Sequence, residues 1–500
     1  MKLSDLEATH PSYDSDRWGD YRALYAGGAA FDERAGRFLP QNANEPAQRY
    51  ARRLAKAHYR SYIGPIVDLF GSWLFTAQID VRARSGESGE AIETPEFYSD
   101  WKEEVSGCDE DLATFTRARF TDSLIEGAAF WLVEMPDDSG LAPASRAEWE
   151  ERELGRAKLK PISRDQLLDW EEDSSGSLLW ANLYDCRLVR PSITSGKRLT
   201  QKTWTLYDSS NVSTYQVTYD PKERELKADD IIPLVGVKPH SFGEVPLVRM
   251  EIKPIGLWIA NRVASAQVAH FQLSNAQTWG IEQTCYAMPV LFLDEAREGG
   301  NLMGPGYYLQ LGAKDRFEWS APPAVPFEQI GEAIKSHKDE IFRIVHQMAA
   351  GVDNNAAAVG RSGRSKELDA SSTQVILRAY GDMVKRALEE TYELISRARG
   401  EALDWSIEGL ERFELDVDME QIIAAMAGLS SVRSETFKKE LEKRAAFAVL
   451  PNVAQTVKDL ISDEIDSAEE VLPPDTALGS QPKDSDAEHR NGPGATGPER

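Results

Sequence analysis

Cysteine is nearly missing from this chain. Cys108, Cys186 and Cys285 are three in 500 residues, far apart and in no CxxC pair. That excludes a disulfide framework and a thiolate zinc site, and suits a reducing compartment. Long apolar runs are missing too. The most hydrophobic stretch, Tyr62 to Phe75, is broken by Gly64-Pro65, Asp68 and Gly71, so no membrane-spanning helix is expected. The first 25 residues hold no apolar core of a signal peptide. Walker A, GxGxxG, HExxH and GxSxG patterns do not occur, and the seven histidines are scattered. No positions combine nucleophile, base and oxyanion roles, so the chain reads as a non-enzyme without a cofactor. Positive charge is outnumbered: 57 Lys and Arg face 82 Asp and Glu, a formal net charge of −25. Nonspecific nucleic-acid binding by the surface as a whole is therefore disfavoured.

Charge itself is missing from one long stretch. An apolar stripe at helical spacing runs through Leu257, Ala260, Ala264, Val268, Phe271 and Trp279, which predicts a helix over 255–283. Between Pro254 and Glu282 the only formally charged residue is Arg262, in a chain that is 28% charged. Asn261, Ser265, Gln267, Gln272 and Asn275 supply the polar face instead. Such a helix is enclosed by something. It is either the central helix of a large domain or a surface that packs against copies of itself, where neutral polar groups avoid unpaired charge.

Around it, 500 residues suggest two to four domains or one multi-part subunit. Residues 1–16 read as flexible. A helix is expected from about Arg17 to Tyr25, stopped by Gly27-Gly28, then a loop over 29–44. A long helix is expected from Glu45-Pro46 to Phe75. Its first half carries Arg49, Arg52, Arg53, Lys56 and Arg60, read as a solvated face paired to carboxylates elsewhere. Helices over 95–105 and 112–126 precede a buried strand at 128–133, and residues 164–170 look helical. Strands at 178–189, 203–207, 214–219 and 231–237, separated by turn clusters, form an antiparallel sheet. Strands at 288–293, 307–311 and 316–319 follow the central helix, and a second long helix runs over 326–350. After a linker comes a long amphipathic helix over 367–399, then shorter helices at 401–411, 419–428, 432–449 and 452–465. The last 39 residues carry ten acids against three Lys and Arg and read as a disordered acidic tail.

Glu414, Asp416, Asp418 and Glu420 alternate and could share one side of a strand, as metal-binding carboxylates of a nuclease would. Phe413, Leu415, Val417 and Met419 alternate in step, so a half-buried strand with a wet outer face explains them better. Asp109-Glu110-Asp111 fits a helix start, where acids meet the positive dipole end.

The order of parts resembles the portal (head–tail connector) proteins of tailed double-stranded DNA bacteriophages. The likeness rests on "LYAGG" and "YIGPIVDLFGSWLF" near the start, then "FGEVPLV" leading into the uncharged helix, "YAMPVLFLDE" and "GPGYYLQL" after it, and "SETFKKELEKRAAF" near the end. It covers roughly residues 17–465, and the evidence is the order of the stretches. The resemblance implies an α+β, mainly helical fold: a wing over 17–254, a stem helix over 255–283 and a clip over 284–325. A second stem helix over 326–350, a tunnel loop over 351–366, a long wing helix over 367–399 and a crown over 400–465 follow, with the tail at 466–500. It implies a twelve-fold ring at one capsid vertex, a channel through which the genome is packaged and ejected. Expected partners are the terminase large subunit, head-completion or adaptor proteins, major capsid and scaffold proteins, and double-stranded DNA held without sequence specificity. No membrane is expected. The site would be the virion, with assembly in the host cytoplasm.

A twelve-membered ring would carry a formal charge near −300, so an acidic bore would let DNA slide. Arg361, Arg364 and Lys366 would be the local exception, facing DNA from the tunnel loop. Val268, Phe271, Asn275 and Trp279 would pack stem against stem between subunits. Another virion structural protein (minor head or scaffold) is the first alternative, and a metal-dependent nuclease using Glu414, Asp416 and Asp418 the second.

Overall fold

The computed structural model describes residues 1–76, 78–86, 89–136, 145–193, 195–284, 288–292, 316–320, 325–352 and 365–410, together with 438–439, 442–443, 446, 460–462, 464–465 and 467. The chain divides into two compact units, Met1–Phe413 and Glu414–Arg500. The positions described in the second unit are all helical.

The first unit begins with α1 (Leu3–Leu6), α2 (Ser15–Ala26), α3 (Gly28–Phe38), α4 (Ala47–Ala55) and α5 (Ile63–Leu74). Then come β1 (Asp80–Ser85), α6 (Glu96–Trp101), α7 (Leu112–Glu126), β2 (Ala128–Glu134), α8 (Arg146–Glu151) and β3 (Lys158–Ile162). A meander follows: β4 (Leu167–Glu172), β5 (Leu178–Val189), β6 (Leu199–Tyr207), β7 (Asn211–Tyr219) and β8 (Leu234–Pro239), then β9 (Leu247–Glu251). The last part holds α9 (Ile259–Thr284), β10 (Met288–Phe292), β11 (Arg316–Ser320), α10 (Val325–Val352), α11 (Ser365–Arg399) and β12 (Leu403–Glu408). The fold is mixed α+β and largely helical.

Two sheets are stacked by simple alternation. In β2, Ala128, Phe130 and Leu132 point one way, into a core shared with Leu167, Leu183 and Tyr207 of the five-stranded sheet β4-β5-β6-β7-β8. Ala129, Trp131 and Val133 point the other way, into the main helical core. A period of two puts successive side chains on opposite faces, so one strand seals two cores. The far face of the meander holds Leu168, Trp204 and Ile232.

Residues 1–16 are not loose. Leu3 and Leu6 are buried on that far face, and the Leu3 N–H donates to Asp230 O at 2.9 Å. The Asn182 side chain donates to Leu6 O at 2.8 Å. Two leucines among polar residues are enough to dock a short strap once a sheet offers a matching apolar face.

Four other expectations are corrected. The loop expected over 29–44 contains α3, because Phe31, Ala35 and Phe38 recur at helical spacing and are buried; Gly27, at φ 63°, only turns the chain. The single helix expected over 45–75 is two. The chain breaks after α4, and the Gly64 N–H bonds the Ser61 hydroxyl at 3.0 Å, beside Pro65 in the first turn of α5, where its missing N–H costs nothing. Residues 164–170 hold one 3-10 turn at Arg164–Gln166 and then β4. Leu167 and Leu168 enter different cores, which a strand allows and a helix does not. The helix expected over 401–411 is strand β12, where Leu403, Trp405 and Ile407 alternate and pair with β1 as Ala83 opposite Trp405.

Residues 411–437 lie outside the described residues, and with them Glu414, Asp416, Asp418 and Glu420. So do the strand expected at 307–311 and the tail from 468 onward.

Candidate functional site

The strongest functional candidate is the pair formed by α9 and α10. A 3-10 turn at Ile255–Leu257 opens it, and Trp258 and Tyr380 lock that turn to the core. The Trp258 indole N–H donates to Ile125 O at 2.9 Å, and the Tyr380 hydroxyl to Leu257 O at 2.6 Å. Burial of both rings makes these bonds costly to lose.

The two helices run antiparallel. A Cβ added to Gly280 would meet Phe327 Cε1 at 2.6 Å, and one added to Gly331 would meet Gln277 Nε2 at 3.4 Å. Positions thus rise along α9 as they fall along α10. The ends are joined through β10 and β11, which pair antiparallel from Met288 opposite Ser320 to Phe292 opposite Arg316.

The neutral polar groups of α9 are engaged inside the chain. The Gln267 side chain accepts from the Tyr62 N–H and donates to Arg60 O, both at 2.9 Å, closing the break between α4 and α5. Gln272 donates to Phe38 O at 2.8 Å, and Asn261 accepts from the Tyr21 hydroxyl at 3.0 Å. For these groups the central-helix reading holds. His270 is buried beside the Tyr62 ring, 5.0 Å between centroids. Burial, followed by the charges of His337, Arg60 and Lys338, holds its pKa below the usual histidine value.

The four expected packing residues have different surroundings. Phe271 is 1% exposed and sits edge-on to Phe31, centroids 4.9 Å apart, so its ring is already enclosed by its own chain. Asn275 is likewise buried, at 4% exposure. Val268 is half-buried against the core, and Trp279 is half-buried with Arg49 and Arg52 over its ring. α9 leaves Arg262, Ser265, Gln272, Ala276, Thr278 and Ile281 exposed. Ser265, Gln272 and Ala276, spaced seven and four apart, share one face, and Arg262 stands one turn before Ser265 at its start. An open groove of about 590 Å3 lies along this face, walled by α2 and α3. Its acids are matched: Asp14 by Arg17, Asp16 by Arg37, Asp20 by Arg34 and Arg37.

α10 presents the opposite surface. Glu328, Glu332, Lys335, Lys338, Asp339 and Arg343 are all exposed. Of the expected tunnel loop, residues 353–364, with Arg361 and Arg364, lie outside the described residues. Lys366 is the second residue of α11, so the helices extend to Val352 and from Ser365 and the loop is shorter than expected.

The basic stretch behaves largely as read. Arg53 is buried on Glu45 at 2.7 Å, and Arg52 and Lys56 both meet Glu282 of α9. Among the described residues, no group of three or more His, Cys, Asp or Glu side chains is gathered as a metal site would need, and no helix is long and apolar enough to cross a membrane. Cys108 and Cys186 are exposed free thiols.

No protein-family model matches the chain, and no curated protein matches it. Solved structures do. One is a chain in the virion of a native gene transfer agent particle, at 12% identity and TM-score 0.41, covering 76% of this chain and 89% of that one. Another is in the neck of an empty particle of that kind computed with C6 symmetry, at 12% and 0.38, covering 76% and 90%. A third is in the neck of a native particle computed with C12 symmetry, at 11% and 0.39, covering 88% and 96%. All three scores fall below 0.5, so the likeness by itself assigns no function to this chain.

Proposed function

We propose that this chain is the subunit of a phage-type portal ring, with α9 and α10 as its stem. The observation that supports this reading best is the antiparallel helix pair joined through the β10–β11 ribbon. It projects both long helices from one strongly packed helical core, to which α11 returns. A head-to-tail contact between neighbouring stems, repeated until it closes, makes a ring. The face of Ser265, Gln272 and Ala276, with Val268 beside it, is suited to that contact, because α9 brings only Arg262 to its edge and the acids of the groove beside it are already paired within the chain. Phe271 and Asn275 then support the stem from inside the chain. Trp279 anchors it to α4.

In this reading the segment 284–325, which carries β10 and β11, docks the terminase motor and later the head-completion proteins, and the segment between α10 and α11 faces DNA with Arg361 and Arg364. The ring sits in the virion at one capsid vertex and touches capsid and scaffold proteins there. The bulk acidity of the chain keeps the bore from gripping phosphates.

Native mass spectrometry of the purified protein tests this reading. The expected result is one dominant species of about twelve or thirteen copies. A monomer or dimer at high protein concentration contradicts it.

A further inference from the structure

The basic run on α4 has an unusual setting for so acidic a chain. From Pro46 to Val67 there is no acid, while Arg49, Arg52, Arg53, Lys56 and Arg60 all fall within that span. Arg53 turns inward to Glu45. Arg49, Arg52 and Lys56, spaced three and four apart, share the outer face along α4 and its C-terminal end, and all three are exposed. Their stems step about 5–6 Å at a time along the helix. The Arg49 and Arg52 guanidiniums lie 6.0 and 5.9 Å from the centre of the Trp279 ring, which holds both arginines over one platform. A single carboxylate, Glu282, answers Arg52 and Lys56 together. Among the described residues no carboxylate forms an ion pair with Arg49.

We propose that this face of α4 is a contact for the phosphodiester backbone of duplex DNA, made without reading bases. Guanidinium forks match phosphate oxygens in pairs, and two of the three cations are arginine. A duplex offers one negative charge per about 1.7 Å of axis, so a short row of cations engages several phosphates in any register. The net charge of −25 does not prevent this. Beyond a Debye length of about 8 Å the distant acids are screened, and the local row decides. The contact lies on α4, apart from the segment between α10 and α11, and it stands whether or not the chain closes into a ring.

The test is a mobility shift of the full chain on a relaxed, covalently closed plasmid at 50 to 300 mM NaCl. A closed circle cannot thread a ring, so binding reports an outer surface. The wild type is expected to bind at 50 mM, with a log–log salt slope of about −2 to −3. Arg49→Gln/Arg52→Gln/Lys56→Gln should weaken binding at least tenfold and flatten the slope. Glu282→Gln should tighten it a few-fold and steepen the slope, a gain that misfolding does not mimic. Arg49→Gln alone, which breaks no described ion pair, should weaken it about threefold. No binding of the circle at 50 mM, or equal binding by the triple variant, overturns the proposal. So does displacement of the plasmid by poly-glutamate at equal charge concentration, which would make the surface one for an acidic protein.

Discussion

α9 and α10 are neighbours of similar length, 26 and 28 residues, yet their outer chemistry is opposed. α9 has one charge before Glu282, and α10, two residues longer, exposes six. Their surroundings explain the contrast. α9 is enclosed on its core side by α2, α5, α7 and α10, and its buried Gln267 side chain completes backbone hydrogen bonds that water cannot reach. α10 packs through one stripe and leaves the rest to solvent, where Glu332, Lys335, Asp339 and Arg343 cost nothing to hydrate. Low charge on a long helix therefore marks enclosure by its own chain first, and a neighbouring copy has only the strip that remains.

Removing the largest enclosed group should break this contrast most. Phe271→Ala deletes a ring at 1% exposure and should cost about 3–5 kcal/mol in chemical denaturation. Gly280→Ala should cost about 2 kcal/mol, since its Cβ would enter the Phe327 ring, and Phe327→Leu in the same chain should restore part of that loss. Gln267→Ala strips partners from the Tyr62 N–H and Arg60 O and should cost about 2 kcal/mol.

A pH series sharpens the contrast further. His270 has a folded pKa below its unfolded value, so the unfolded chain takes up the proton first. Its contribution to stability is present above the unfolded value of about 6.5 and is lost as pH falls below it. Denaturation midpoints measured from pH 7 down to 5 should fall in the wild type, and His270→Gln should flatten that slope. The smallest effect belongs to α10: Lys335→Ala should stay within about 0.5 kcal/mol of wild type, because its side chain is solvated in both states.

Much of this architecture was legible in the residues. Helical periodicity located α7, α9, α10 and α11 to within a few residues, and the meander followed from β-rich runs between turn clusters. What escaped has a common cause, namely short elements whose signal is carried by a partner far along the chain. α1 is four residues whose two leucines matter only because β4 and β6 offer an apolar face. β12 alternates over six residues and is a strand only because β1, more than 300 positions earlier, pairs with it. At the candidate site, the uncharged run marked α9 as enclosed. It could not separate Phe271 and Asn275, enclosed by α9's own chain, from Ser265 and Ala276, which are exposed, or from Gln272, exposed while bonded to Phe38 O. That distinction depends on where α2, α3 and α5 pack.

Imaging the purified full chain by electron microscopy, with class averages viewed along the symmetry axis, is the most direct test of the portal account. The account predicts a closed ring of about twelve or thirteen copies around a central hole, with the paired helices α9 and α10 side by side in its narrow neck. Discrete single particles with no hole, in which the α9 face of Ser265, Gln272 and Ala276 meets only solvent, would contradict it.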